Sequence, residues 1–316
     1  MNWEKQKQLA KAAYLYYVAE KKQAEIAKEL NVDRTTVSRM LTQAKKSGLI
    51  EIKLNQFDPE LFALEAKVKQ RFGLEKVELA PSEPMRSEAQ KELNLAQTAE
   101  SWLRRQVKDG QVIGVAWGAS LGQMIEQLEP KQLRNIIAVP IVGGPSHIRS
   151  QFHVNTLVYE LAKKFQGTSV FINAMVVQEN QALAAGIVQS KYFHELKNYW
   201  QHLDIALVGI GGPLSYQKSQ WRDLLTETDL EELKLQAAVA DCCCRFLNRD
   251  GKVLNSSLTK RTIGLSLTEL AQVPQRVAVA RGIKKAGSIL AVLNSQAINT
   301  LITDQETAEK ILALAD

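Results

Sequence analysis

Cysteine is scarce and oddly placed: this chain of 316 residues has three, all consecutive at Cys242, Cys243 and Cys244. Three adjacent thiols cannot build a disulfide framework, and such usage points to a reducing cytoplasm. Consecutive side chains cannot all face one metal ion either, and no Cys-x-x-Cys pair exists, so packing beside Asp241 explains them better than zinc. The four histidines, His147, His153, His194 and His202, lack metal-ligand spacing, although His147 and His153 flank a glycine-rich turn. No apolar run reaches the about 18 residues of a membrane span. The opening Met1-Asn2-Trp3-Glu4-Lys5 lacks the apolar core of a signal peptide. These absences exclude a secreted disulfide scaffold and a membrane protein, and they lead us to expect no metal and no cofactor.

What is present is unevenly distributed. Residues 1–53 hold eleven Lys or Arg against six Asp or Glu, whereas the remainder holds 29 against 28. A basic head on a near-neutral body fits a polyanion partner for the head alone, or a solvated basic surface; charge does not choose between them. Hydrophobic residues make up 45% of the chain, enough for the remainder to bury a full core.

Helical spacing resolves the head. Leu9, Ala13 and Tyr16 define a helix from Gln6 to about Ala19. Lys22-Gln23 opens a second, with Ala24, Ile26, Ala27 and Leu30 facing inward and Asn31 in the left-handed turn conformation after it. Asp33 then stands as N-cap of a third helix, which Val37, Leu41 and Ala44 bury and Gly48 ends. The alternation in Ile50-Glu51-Ile52-Lys53-Leu54 predicts a short wing strand. Two helices joined by a tight turn, the second polar and basic outward, form the helix-turn-helix pattern. Between Arg34 and Ile50 there is no acidic residue. Gln23, Arg34, Thr35, Thr36, Ser38, Arg39 and Gln43 are the candidate DNA contacts, with Lys45 and Lys46 placed for phosphates. The bland reading is a three-helix bundle with a charged face, but the missing acids favour double-stranded DNA.

Phe57-Asp58-Pro59 breaks the chain, and Leu61, Leu64, Val68 and Phe72 mark a connecting helix, suited either to a dimer seam or to simple packing. From Val77 onward helices alternate with short apolar runs: 77–80, 112–116, 136–141, 169–172, 205–210, 277–280 and 300–303. Continuous apolar strands between helices specify a doubly wound parallel sheet covered on both faces. Ligands of such sheets lie beyond the carboxyl ends of the strands. There the chain places Trp117-Gly118-Ala119-Ser120, Gly143-Gly144-Pro145-Ser146, Gly211-Gly212-Pro213, and Gly282 with Lys284 and Lys285. Helix N-termini and lysine beside small residues fit a small anionic or polyhydroxy ligand.

At these residues the chain resembles the SorC family of sugar-responsive bacterial transcription regulators, over nearly its whole length. The similar stretches are Gly114–Gly118, Val139–Gly144, Asp204–Gly211, Val239–Phe246 and Arg261–Gly264. Gly143–Ser146 with His153-Val154-Asn155-Thr156 is most similar to the sorbose/sorbitol-operon branch. The resemblance implies a body like sugar-phosphate isomerases, binding a sugar or sugar phosphate within a DNA-bound homo-oligomer, expected to be a tetramer. It further implies that Gly118 and Ser120 cradle the effector's anionic end, that Asn155 and Asp241 hold hydroxyls, and that Lys285 stands at the rim. Trp117, Ala119, Gly143, Gly144, Ser146 and Gly211 complete the expected site, Trp117 as a stacking platform or a core residue. One branch carries a Schiff-base lysine immediately before the glycine pair. Here that residue is Val142, so reversible binding of a ketose or alditol phosphate is expected. Where relatives often have Gly-Gly this chain has Arg281-Gly282, an arginine expected to contact the anion or to face solvent. Two other classes stay open. A sugar-phosphate isomerase or deaminase fused to a DNA reader would need a poised acid/base pair, for which only Asp241 with a nearby histidine offers itself. A DNA-coating protein would leave the glycine-lined body unexplained.

Overall fold

The computed structural model describes residues 3–51, 59–81, 87–145, 150–215, 222 and 224–316. The chain forms two compact units, Met1–Pro59 and Glu60–Asp316.

The first unit contains α1 (Trp3–Tyr17), α2 (Gln23–Leu30) and α3 (Arg34–Lys46). Leu15, Ile26, Ala27, Val37 and Leu41 form its main core, and Leu9, Ala13 and Ala44 a second cluster. Two expected inward residues face solvent: Ala24 is exposed, and Leu15 takes the buried place beside Tyr16. Asn31 adopts the left-handed conformation (φ 53°), where its backbone N–H closes onto the last carbonyls of α2. Asp33 occupies the N-cap of α3 with extended backbone, but its side chain makes no capping bond. Of the expected wing, Ile50 and Glu51 are not in a strand, and residues 52–54 lie outside the described residues.

The second unit begins with α4 (Pro59–Phe72), whose Leu61 and Val68 join the body core. There follow β1 (Lys76–Ala80), α5 (Glu88–Gln106), β2 (Val112–Val115), α6 (Ala119–Gln127) and β3 (Ile137–Pro140). Next come α7 (Val154–Phe165), β4 (Thr168–Ser169), α8 (Gln181–Gln189), α9 (Lys191–Gln201), β5 (Ile205–Val208) and β6 (Ile210–Gly211). The remainder is α10 (Glu227–Leu235), β7 (Ala240–Cys242), β8 (Arg245–Leu247), α11 (Ser257–Arg261), α12 (Leu267–Leu270), β9 (Gln275–Val279), α13 (Ala286–Asn294), β10 (Thr300–Asp304) and α14 (Gln305–Ala315).

Seven strands make one parallel sheet in the order β1-β10-β9-β5-β2-β3-β4. All four residues of β5 and all five of β10 are buried, as a sheet covered on both faces requires. From β2 the chain winds outward through β3 to β4, then returns to lay β5 on the other side of β2. That reversal creates a crevice at the carboxyl ends of β2 and β5, the place where such sheets receive ligands.

Three expected strands differ. The 136–141 run is paired through 137–140 only, and the 169–172 run only at Thr168–Ser169. The 205–210 run splits at Gly209: β5 stays in the main sheet, while Ile210–Gly211 pairs antiparallel with β7. The resulting small sheet, β6-β7-β8, did not follow from the apolar pattern. Its hairpin turn is Cys243-Cys244, both at positive φ (51° and 58°), a conformation that glycine and asparagine ordinarily supply.

Candidate functional site

The basic face of α3 and the crevice at the sheet reversal belong to different units. On α3, Arg34, Thr35, Ser38, Arg39, Lys45 and Lys46 are exposed, while Thr36 and Gln43 are half-buried. Gln23 starts α2 and is half-buried. Burial of Val37, Leu41 and Ala44 fixes which way the helix faces, so the basic side chains share the opposite surface. Lys45 lies 5.7 Å from the centre of the Tyr17 ring, which holds its stem against α1.

In the body, the crevice is built from β2 and β5 outward. Gly118 (φ 137°) turns the chain from β2 directly into α6, a backbone shape that L side chains rarely adopt. It is also the N-cap of α6 and has no side chain to satisfy the first-turn N–H groups. Compare α7, capped by His153, and α14, capped by Asp304. Among the described residues no side chain caps the N–H groups at Ala119 and Ser120, at the positive end of the helix dipole, a position suited to an anion. Trp117 is half-buried and donates its indole N–H to the Gly143 carbonyl at 3.0 Å, tying the ends of β2 and β3 together.

Across the crevice, the β5 end supplies a polar cluster. Gly211 faces Asp241 across the β6–β7 pair, and a Cβ at Gly211 would collide with the Asp241 carboxylate. Glycine there makes room for the acid. Arg222 pairs with Asp241 at 2.9 Å, and both side chains are at least nine-tenths buried. The same guanidinium donates to the carbonyls of Gly212 (2.5 Å) and Pro213 (2.8 Å) and lies over the Phe246 ring, while its buried Nε has no partner among the described residues. Lys285 donates to the Ile210 carbonyl at 3.0 Å, from the short turn preceding α13. Burial pushes the Asp241 carboxyl above its ordinary range, against the opposing pull of Arg222 and then Lys285.

The structure thus gathers Gly211, Asp241 and Lys285 at the β5 end and Gly118, Ala119 and Ser120 at the β2 end. Asn155 stands elsewhere: its amide bonds both ways to the Ile172 backbone (2.9 and 3.0 Å), pinning the segment after β4. Ser146 lies outside the described residues. Gly143 and Gly144 pack tightly, a Cβ at Gly143 falling 2.6 Å from Val176 Cα. Arg222 is the residue the sequence reading missed. It lies in a stretch without apolar periodicity, and only its fold partner Asp241 reveals it.

Arg281 does not face solvent. It is buried and bonded to Asp304 (2.6 Å), Glu92 (2.8 Å) and Glu88 (3.1 Å). Val142 is buried and bridged to Gly264. Two of the buried thiols are held protonated: a Cys243 hydrogen bond and burial raise Cys242, and burial raises Cys244, well above the usual thiol range. Among the described residues no cluster of His, Cys, Asp or Glu has a metal-binding arrangement, and no helix is long and apolar enough to cross a membrane.

An exposed basic recognition helix and a ligand crevice at a sheet reversal define a ligand-controlled DNA-binding protein. The Sugar-bind family, described as a sugar-binding domain, matches residues 59–313. The sorbitol operon regulator of Klebsiella pneumoniae is 33% identical over 306 residues, covering 96% of this chain and 97% of that protein. Its full-length crystal structure superposes with a TM-score of 0.76 over 99% of this chain and 100% of that one. A deoxyribonucleoside regulator of Bacillus subtilis is 30% identical over 312 residues, 99% of each protein. A crystal structure of a Streptococcus pneumoniae transcriptional regulator, 44% identical, covers 82% of this chain and 99% of its own with a TM-score of 0.79. The chain belongs to the SorC family of sugar-responsive transcription regulators.

Proposed function

We propose that this protein controls a carbohydrate-utilisation operon of the sorbose/sorbitol type by binding its operator in an effector-dependent way. Residues 1–55 read double-stranded DNA, and residues 56–316 bind the effector and join protomers into a tetramer in the cytoplasm. The observation that carries the effector half is the uncapped N-terminus of α6 at the sheet reversal, with Asp241, Arg222 and Lys285 gathered at the neighbouring β5 end. An anionic group on the α6 amides and hydroxyls on Asp241 describe a phosphorylated polyol or ketose. Buried Val142 removes the amine that covalent capture would need, so binding is reversible. The name of the Klebsiella relative supports the sorbitol-type assignment.

Catalysis is not part of this reading. Asp241 is committed to Arg222, and His153 to a helix cap, so neither forms the poised acid/base pair that isomerisation needs. The test is fluorescence anisotropy with a fragment of the protein's own promoter, with and without glucitol 6-phosphate or fructose 6-phosphate. At least about a five-fold change in operator affinity is expected, the lower end of ordinary allosteric coupling. Unchanged affinity with both compounds would reject the switch, and conversion of either compound during the incubation would favour the enzyme.

A further inference from the structure

His153 caps α7 in an unusual way. Because α7 follows β3, its N-terminus lies at the carboxyl edge of the sheet, beside the Gly143-Gly144 turn. The Asn155 N–H donates to His153 Nδ1 at 3.3 Å. A ring nitrogen that accepts a hydrogen bond carries no proton, so the imidazole proton sits on Nε2. That Nε2 edge lies against Gly144: a Cβ placed there would be 2.8 Å from Nε2 and 3.2 Å from Cε1. Gly144 is in turn laced to the following segment through Ala174 and Val176, both at 2.8 Å. Asn155, whose N–H the ring accepts, grips Ile172 in that same segment. One imidazole therefore touches both the glycine turn and the residue that pins the segment after β4.

We infer that His153 is a positioning residue of the effector site, acting through the Gly143-Gly144 turn that Trp117 ties to the β2 end, and that it works only as a neutral imidazole. The inference rests on the effector reading above. Protonation would put a second N–H where the Asn155 amide needs a lone pair, and two donors would face each other. The cap would open, and Asn155 and the Gly144 turn would lose their common support. Among the described residues, the turn Ser150–Phe152, the Gly143–Pro145 loop and the 170–176 segment contain no charged or titratable side chain; His147 and Arg149, between the loop and the turn, lie outside the described residues. Burial alone lowers the pKa of His153, so the neutral form prevails near neutral pH.

The test compares wild type with His153→Asn, a cap that does not titrate, and with His153→Ala, which has none. The readout is the change in operator affinity caused by glucitol 6-phosphate at about pH 7.5 and about pH 5.5. Wild type is expected to lose about five-fold of its response on acidification, the worth of a lost cap, beyond any loss seen in His153→Asn. The phosphate of the probe titrates equally for both proteins, so the difference belongs to His153. His153→Ala is expected to respond weakly at both pH values. Parallel profiles for wild type and His153→Asn, or a full response from His153→Ala, would overturn the inference. A wild type unresponsive at both pH values would instead reject the effector reading. In that event thermal midpoints decide on His153. A depressed folded pKa gives stability that is complete above the unfolded value and lost as pH falls below it. Wild type should therefore lose ground to His153→Asn below about pH 6.5, and coincident curves would end the proposal.

Discussion

The Arg222–Asp241 pair shows how much one buried contact commits. Two charges with side chains 9% and 8% exposed give up most of their hydration, and their attraction repays this only when the remaining donors are met. Gly212 and Pro213 carbonyls meet two of them, while among the described residues Nε has no partner. Replacing Arg222 by Gln should cost about 3 kcal/mol, because Asp241 stays buried and Lys285 is the one other cation acting on it among the described residues. Adding Asp241→Asn should recover part of that loss, since two amides need no counter-charge. Urea unfolding of the four proteins measures this; a double variant as unstable as the sum of the singles would refute the coupling. At this scale the sequence was half legible. Asp241 and Lys285 stood in family-like motifs, whereas Arg222 stood in none, and the role of Arg281 depended on carboxylates 189 and 193 residues away in the chain.

Elements were legible where periodicity was strong and unclear where the backbone broke a rule. The three head helices and the main-sheet strands follow their apolar spacing to within a few residues. The β7–β8 hairpin does not, because its turn uses Cys243-Cys244 at positive φ, with no Asn-Gly signal to mark it. Helix α3 carries the clearest element-level expectation. Arg39→Ala should relax base preference and cost about 1–3 kcal/mol on the preferred site, whereas Lys45→Ala should weaken all sequences alike and lower the salt slope of log K by about 0.9. Anisotropy titrations against matched and scrambled DNA over a range of salt separate the two; equal effects on both DNAs from Arg39→Ala would remove it from base reading. A second element-level device is the clamp that joins α5 to the ends of β9 and β10. Arg281→Gly should cost about 3 kcal/mol by leaving buried Asp304 without its cation. Glu88 is 74% exposed, so Glu88→Gln should cost less than about 1 kcal/mol although it touches the same guanidinium. Chemical denaturation that ranked the two variants equally would show the clamp to be a surface network.

At the scale of the whole molecule, the charge partition matters more than the total. The body is near-neutral and the head basic, so attraction to DNA is concentrated in a unit of about 50 residues that has too small a surface to read a long site alone. In the proposed oligomer specificity comes from pairing heads across protomers, and pairing makes affinity depend on the distance between half-sites. This also explains how a ligand in one unit can govern binding by the other. A ligand moves an equilibrium only by binding one assembly state better, and paired heads turn a small preference between states into a large change in operator affinity. Inserting about 5 bp between the half-sites of the native operator should therefore abolish tight binding, because the second half-site rotates to the far side of the duplex. Inserting about 10 bp should restore much of it by returning the half-site to the same face. Mobility-shift titrations on the three DNAs read this directly. Equal affinity for all three would mean that each head binds alone, and the coupling between effector and operator would then have to act within a single protomer.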